Sequence, residues 1–297
     1  MEIKNRSRIC LIVSAAIFVL ALILTVFGHG INLGIDFEGG LSMQYDLKAP
    51  VEKGDVETVL NGMNAGTYTV TVQGTNNNEV NIRLKNVAQD DIQKVQASFE
   101  EGIHEKYPDA ASIGDVNYVG PVAGATLVKN AIVSVLLATV LMLIYIAIRF
   151  DFNSGLSAVF GLVHDVLMML SFMVIFRSFI QMNSSFIAAA LTIVGYSINN
   201  TIVIFDRIRE NAKKMPTVAR EEVTNISIRE SLGRTICTTV TTLITIVALC
   251  ILGVASIREF ALPIIVGILS GVYSANMING YVWAFLEEKR RSRKAKA

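Results

Sequence analysis

Two ionisable residues stand side by side inside an apolar run: His164 and Asp165 in GLVHDVLMML. A charge near the middle of a membrane costs about 2.5–3.5 kcal/mol on insertion scales, so Asp165 is expected to face a bundle interior, paired, hydrated or protonated. Such a group suits proton or ion handling, and a buried structural hydrogen bond is the competing reading. Neighbours on a helix point about 100° apart, so His164 and Asp165 do not form an evident metal pair. No Ser or Asp stands at a spacing that would give His164 a catalytic partner. The segment Gly195–Asp206, GYSINNTIVIFD, places Asn199 and Asn200 about one to two turns inside another run and Asp206 at its edge. Asp206 is expected to cap the helix or to pair with Arg209. Arg234 opens the next run; it keeps its charge at any relevant pH, so it can orient or repel a mobile proton but not carry one. The sequence has no GxxxxGK(S/T) phosphate loop, no HExxH zinc pair and no GxSxG elbow. No catalytic residue, metal or cofactor is therefore expected, and any work must draw on a gradient or a partner.

The elements that must hold these residues are helices in lipid. Of 297 residues 52% are hydrophobic and 17% charged, with mean hydropathy +0.51, against about 25% charged in soluble domains. The apolar residues fall in six runs, Ile9–Phe27, Thr126–Ile148, Gly155–Phe176, Ser184–Phe205, Thr235–Ile257 and Ala261–Leu286. Each has about the length needed to cross a bilayer as a helix. The first follows Lys4, Arg6 and Arg8, yet it is long for a signal peptide and no clear cleavage site follows. It is expected to be a retained span. In the sixth, Gly267 and Gly271 begin a small-residue stripe that allows close helix packing.

Seven Lys or Arg lie between the fourth and fifth runs and six after the sixth, whereas Arg177 and Arg258 alone occupy the short loops of the opposite side. This asymmetry puts both termini in the cytosol, in a multi-pass protein of the cell (inner or plasma) membrane. The expected organisation is a tail and first span over 1–30, an extracytoplasmic domain over 31–125, five spans over 126–286 with a cytosolic loop at 206–234, and a basic tail over 287–297. The loop reads as a helix along the membrane surface, and the tail as attracted to anionic lipids. Cys10, Cys237 and Cys250 all fall in runs, so no disulfide or zinc framework is expected.

The extracytoplasmic segment alternates strand and helix patterns. Leu41, Met43, Tyr45 and Leu47 alternate, Val51–Met63 is helical in pattern, and Tyr68–Val72 and Val80–Leu84 flank an Asn-rich turn. A second helix buries Ile92, Val95, Phe99 and Ile103, and a last strand runs near Ser112–Val119. The order β-α-β-β-α-β is that of a small α+β ferredoxin-like domain. Residues 31–120 hold 14 acidic and six basic side chains, a solvated face or a weak surface for basic or extended polypeptide.

Four segments together resemble the SecF members of the SecD/SecF family of bacterial protein-export membrane proteins. GIDFEGG (Gly34–Gly40) resembles the family's segment after the first span, with Asp36 and the hinge-like Gly34, Gly39 and Gly40. GLVHDVLMMLS (Gly161–Ser171) resembles its HD motif, with Ser171 where a Gly is common. GYSINNTIVIFDRIREN (Gly195–Asn211) resembles the SecF signature, and LGRTICTTVTTL (Leu232–Leu243) its Arg-Thr motif. The resemblance covers essentially the whole chain. It implies a resistance-nodulation-division type fold, an α-helical membrane protein of six transmembrane helices, one plus five. It also implies work with SecD beside the SecY/SecE/SecG channel and the SecA motor, on a translocating unfolded polypeptide, driven by a proton or sodium gradient. No nucleic acid is expected among the partners. The family signature usually has Asp where this chain has Asn200, and an amide cannot take up and release a proton. The resemblance places a key intramembrane Asp on the SecD side, which makes the partner the expected ion carrier and Asp165 the candidate in this chain. A small-solute efflux transporter of the same fold is the alternative, disfavoured by the small outside segment, and an intramembrane hydrolase is the third reading.

Overall fold

The structure is a computed structural model that describes residues 3–296 apart from 75, 86, 115, 179 and 254. Met1 and Glu2 of the expected tail, Ala297 at the other end, Asp115 of the expected last strand and Val254 of the fifth run lie outside the described residues.

Among the described residues six helices are long and apolar enough to cross a membrane. They are α1 (Ile3–Val26), α5 (Pro121–Arg149), α6 (Phe152–Ile175), α7 (Ser184–Lys214), α8 (Arg220–Leu252) and a sixth built from three pieces. That last one joins α9 (Ala255–Ser274), a π-helical turn at Ala275–Asn279 and α10 (Gly280–Lys296), with Pro263 inside α9. Apolar side chains on α1, α5 and α8 face outward, among them Ile12, Leu136 and Ile244. Lipid accepts such faces, because a helix satisfies its own backbone polar groups. The interior is lined instead by α6, α7 and the sixth helix, where Leu162, Val194, Ile198, Phe205, Ala275 and Trp283 pack together. Asp151 starts α6 by accepting from the Ser154 amide (3.4 Å) and hydroxyl (2.6 Å), an N-cap that satisfies donors the helix leaves open.

The polar stretch 206–234 is not a separate helix on a surface. Residues up to Lys214 continue α7 and those from Arg220 begin α8, so the stretch is a hairpin turning near Pro216. Cross-helix polar bonds explain the difference. Arg207 donates to Glu230 at 2.7 Å, and Asn211 donates to Ser227 at 3.0 Å and Glu230 at 2.6 Å. These tie the two extensions to each other.

Residues 33–132 with 181–184 form a second unit. It contains α2 (Ile35–Glu38), β1 (Gly40–Asp46), α3 (Lys53–Gly62), β2 (Tyr68–Gln73), β3 (Glu79–Leu84), α4 (Ile92–His104), β4 (Ala111–Ser112) and β5 (Asn117–Val119). The antiparallel sheet runs β2-β3-β1-β4, with β5 also paired to β1, the ferredoxin-like order. The expected last strand is thus two short ones on either side of residue 115. Register sets Leu41 opposite Leu84, Met43 opposite Ile82 and Tyr45 opposite Val80, so the alternating apolar residues share one buried face with Phe99 and Ile103 of α4.

Candidate functional site

Asp165 lies at the centre of the helical bundle with no solvent exposure. Its Oδ1 accepts from Ser270 at 2.7 Å and faces His164 Nδ1 at 3.0 Å; its Oδ2 accepts from Ser197 at 2.5 Å and Ser274 at 2.8 Å. An ionised carboxylate has about four acceptor positions, and all are used. Four groups from α6, α7 and α9 converge on one carboxyl, which balances the cost of burying it.

The network continues through the imidazole. His164, 4% exposed, meets the Ser14 hydroxyl of α1 at 2.7 Å through Nε2. Ser14 meets the Tyr273 hydroxyl at 2.6 Å and can donate to the Cys10 carbonyl at 3.1 Å, and the single Tyr273 hydrogen goes either to Ser14 or to that same carbonyl. Phe18 and Tyr273 hold the imidazole ring, with centroids 5.7 and 5.6 Å away. Two hydrogen settings fit these positions. With His164 neutral and Nδ1–H on Asp165, Ser14 donates to Nε2. With His164 protonated, Nε2–H donates to Ser14, whose own hydrogen turns to Cys10. Neither setting strands a buried donor.

Side chains on adjacent residues do meet here, contrary to the 100° argument. Consecutive Cα atoms are about 3.8 Å apart, and the imidazole is long enough to swing back to the neighbouring carboxyl. The expectation that His164 lacks a Ser or Asp partner also fails, since Ser14, His164 and Asp165 form a hydrogen-bonded chain. That chain does not read as a hydrolase triad. Ser14 is 1% exposed and its oxygen is engaged by three groups. It also sits mid-helix, where backbone N–H groups are spent on the helix and cannot form an oxyanion hole.

The small residues decide the approach of the helices. A methyl on Gly271 would lie 3.4 Å from the Ser197 Cα and 3.5 Å from Asp165 Oδ2. At Gly267 it would collide with Ile193, and at Gly161 with the Asn279 side chain, which donates to Thr201 at 2.9 Å. At Gly195 it would meet nothing.

The other anticipated residues stand apart from this network. Asn200 is 2% exposed and its Nδ2 has no hydrogen-bond partner among the described residues, whereas Asn199 and Arg234 are exposed. Asp206 pairs with Arg149 at 3.4 Å rather than with Arg209, whose guanidinium instead donates to the Arg149 carbonyl at 3.3 Å. In the second unit, Gly34 donates to the Met182 carbonyl at 2.8 Å and Asp36 accepts from the Ser184 amide at 2.7 Å. Gly39 and Gly40 have φ of 78° and 134°, a region L side chains avoid, and a side chain at Gly40 would collide with the Leu84 carbonyl. Ser14, Ser197, Ser270, Tyr273 and Ser274 were not anticipated. The one sequence signal, for Ser270 and Ser274 alone, is the repeat GILSGVYS (Gly267–Ser274), in which a Ser follows each close-packing Gly by three residues.

Six candidate spans, a ferredoxin-like unit and a buried hydroxyl-lined His-Asp pair describe a polytopic membrane protein. Residues 99–289 match the family described as protein export membrane protein SecD/SecF, C-terminal, and residues 25–51 match the SecD/SecF GG motif. The chain belongs to the SecD/SecF family. It is 36% identical over 288 residues to a protein translocase subunit SecF of Alicyclobacillus acidocaldarius, covering 95% of this chain and 91% of that one. To a SecF of Rickettsia bellii it is 34% identical over 259 residues, 87% and 84% of the two chains. The crystal structure of SecDF, a translocon-associated membrane protein from Thermus thermophilus, superposes with a TM-score of 0.83 at 31% identity. That match covers 97% of this chain but 39% of the SecDF chain.

Proposed function

We propose that this chain is the SecF-type accessory subunit of a bacterial Sec translocase, working with a SecD partner to promote export of secreted polypeptides, and that it is not an enzyme. The observation that carries the reading is the His164–Asp165 network, a buried acid and imidazole held by hydroxyls inside a bundle of this family. A proton gradient can bias such a group, since moving one charge through 100 mV is worth about 2.3 kcal/mol. The partner is supported by length and by charge. The matched SecDF chain has more than half its residues beyond the part resembling this one, which is what a separate SecD would supply. Arg234, exposed at the start of the apolar part of α8, is costly toward lipid and useful against a partner's carboxylate. In this arrangement the SecD side carries the main mobile ion and Asp165 a second titratable group. The SecY/SecE/SecG channel, the SecA motor, a cytosolic placement of both termini and hinge motion of the α+β unit at Gly28–Gly30, Gly39–Gly40, Gly120–Pro121 and Gly124 belong to the same reading.

Co-purification from native membranes tests the partnership, with export then measured at set gradients for Arg234→Met and Asn200→Asp. A SecD-like chain should travel with this one, Arg234→Met should lose gradient dependence and Asn200→Asp should be tolerated. A fully active preparation free of any SecD-like chain would sink the proposal.

A further inference from the structure

The bundle holds a second polar feature, a cavity of about 200 Å³ among the ends of α6, α7, α8 and α10. Arg209, Lys213, Arg220 and Arg290 line it against two acids, Asp151 and Glu287, so the lining carries two excess positive charges. Both acids are already engaged. Asp151 caps α6 through Ser154, and Glu287 accepts from Asn153 at 2.7 Å and from Arg290 at 3.5 Å.

Two buried donors of this lining have no hydrogen-bond partner among the described residues, Arg220 Nε and Trp283 Nε1. Their residues are 6% and 5% exposed. Arg220 spends Nη1 on the Ala212 carbonyl at 3.3 Å, which fixes the guanidinium but leaves Nε open. A buried donor without a partner is destabilising, the more so when charged. Two of them in one cation-rich cavity call for an acceptor that brings negative charge.

We propose that this cavity binds a phosphate-bearing anion, whose oxygens accept from Arg220 Nε and Trp283 Nε1. Arg209, Lys213 and Arg290 complete the charge balance. The volume is below the roughly 300–1,000 Å³ of pockets for drug-sized ligands, so it suits a headgroup-sized anion rather than a nucleotide. Its residues also stand where apolar runs begin and end: Gly155 opens the third run just after Ser154, Phe205 closes the fourth, and Leu286 closes the sixth beside Glu287. That position at the ends of apolar runs favours the phosphodiester of an acidic phospholipid over free phosphate, which shares its chemistry.

Trp283 is the chain's single tryptophan, so its emission reports on this cavity alone. The full chain in a zwitterionic detergent is titrated separately with short-chain phosphatidylglycerol, short-chain phosphatidylcholine and inorganic phosphate. Phosphatidylglycerol should give a saturable change in emission. Arg220→Gln should weaken it at least about tenfold, because a hydrogen bond to a charged group is worth about 1.5–3 kcal/mol. Arg290→Gln, at a half-exposed position that can lose its charge without unfolding the bundle, should weaken it severalfold and keeps the test open if the first variant does not fold. A saturable response to inorganic phosphate alone keeps the site and assigns it to the free anion. No saturable change with either anion, equal responses to the two lipids, or an unchanged response in both variants overturns the proposal.

Discussion

Replacing Asp165 with Asn removes the charge from the bundle centre and keeps the shape. The carboxylate makes four contacts between 2.5 and 3.0 Å. Hydrogen bonds to a charged group are worth about 1.5–3 kcal/mol and neutral ones about 0.5–1.5, so each contact loses about 1–1.5 kcal/mol when the charge goes. Four contacts lose about 4–6 kcal/mol on that basis. The variant also escapes the insertion cost of the charge, about 2.5–3.5 kcal/mol. Geometry allows the exchange, because the serine hydroxyls that face the new amide N–H groups can rotate to accept. The net loss in stability is therefore about 1–3 kcal/mol, measurable as a shift in denaturant midpoint in detergent. The functional effect should be larger in kind: export from membrane vesicles should be partly impaired, with its response to an imposed proton gradient flattened. A variant that is less stable yet keeps the full gradient response would show that the network is structural only. Complete loss of coupling would move the principal carrier from the SecD side to this chain.

Ser14→Ala leaves His164 Nε2 without its partner, and one unsatisfied buried group costs about 1–3 kcal/mol; the thermal midpoint in detergent should fall, and the gradient response should shift toward that of Asp165→Asn. Gly161→Ala drives a methyl into the Asn279 side chain and should cost about 1–3 kcal/mol through overpacking, read from the same midpoint with little change in the pH dependence of export. In the α+β unit, Lys106 at 2.5 Å and then Tyr107 at 2.7 Å hold the Asp55 carboxyl below the usual range. Its stabilising contribution is present above the unfolded value, about 3.9, and is lost as pH falls through the lower folded one. Near-ultraviolet circular dichroism followed below about pH 4 should show Asp55→Asn unfolding this unit with a shallower acid limb than the parent. The same contact acts at the alkaline end. Burial, then the bond to Asp55, pushes the Tyr107 hydroxyl up to about 12, so that contribution fades as pH rises from about 10 toward that value.

The elements were legible where one physical rule dominates. Lipid solvation demands long apolar runs, and all six became helices. Period-two alternation in Leu41, Met43 and Tyr45 placed those residues on the buried face of β1. Boundaries were less legible where polar side chains find each other across helices. The stretch 206–234 has the composition of a surface loop, and nothing local announces that Asn211 will reach Ser227 and Glu230. The same holds for Asp206, whose Arg149 partner lies on α5 while the nearer Arg209 turns elsewhere.

The network around Asp165 was legible only at its centre. A carboxylate in an apolar run is visible because its burial is costly, whereas serine carries little cost in a helix, where its hydroxyl can bond the preceding turn. Ser14, Ser197, Ser270 and Ser274 therefore leave no mark in hydropathy, and Gly271 permits the close approach of Ser197 and Asp165. Ser14 changes what the first span is for. As an anchor, α1 could carry any apolar residue at that position; as the holder of the one hydroxyl on His164 Nε2, it sets where the imidazole proton can go. Ser14 can donate toward the ring or toward the Cys10 carbonyl. The Ser14–His164 contact thus ties α1 to α6 at the bundle centre.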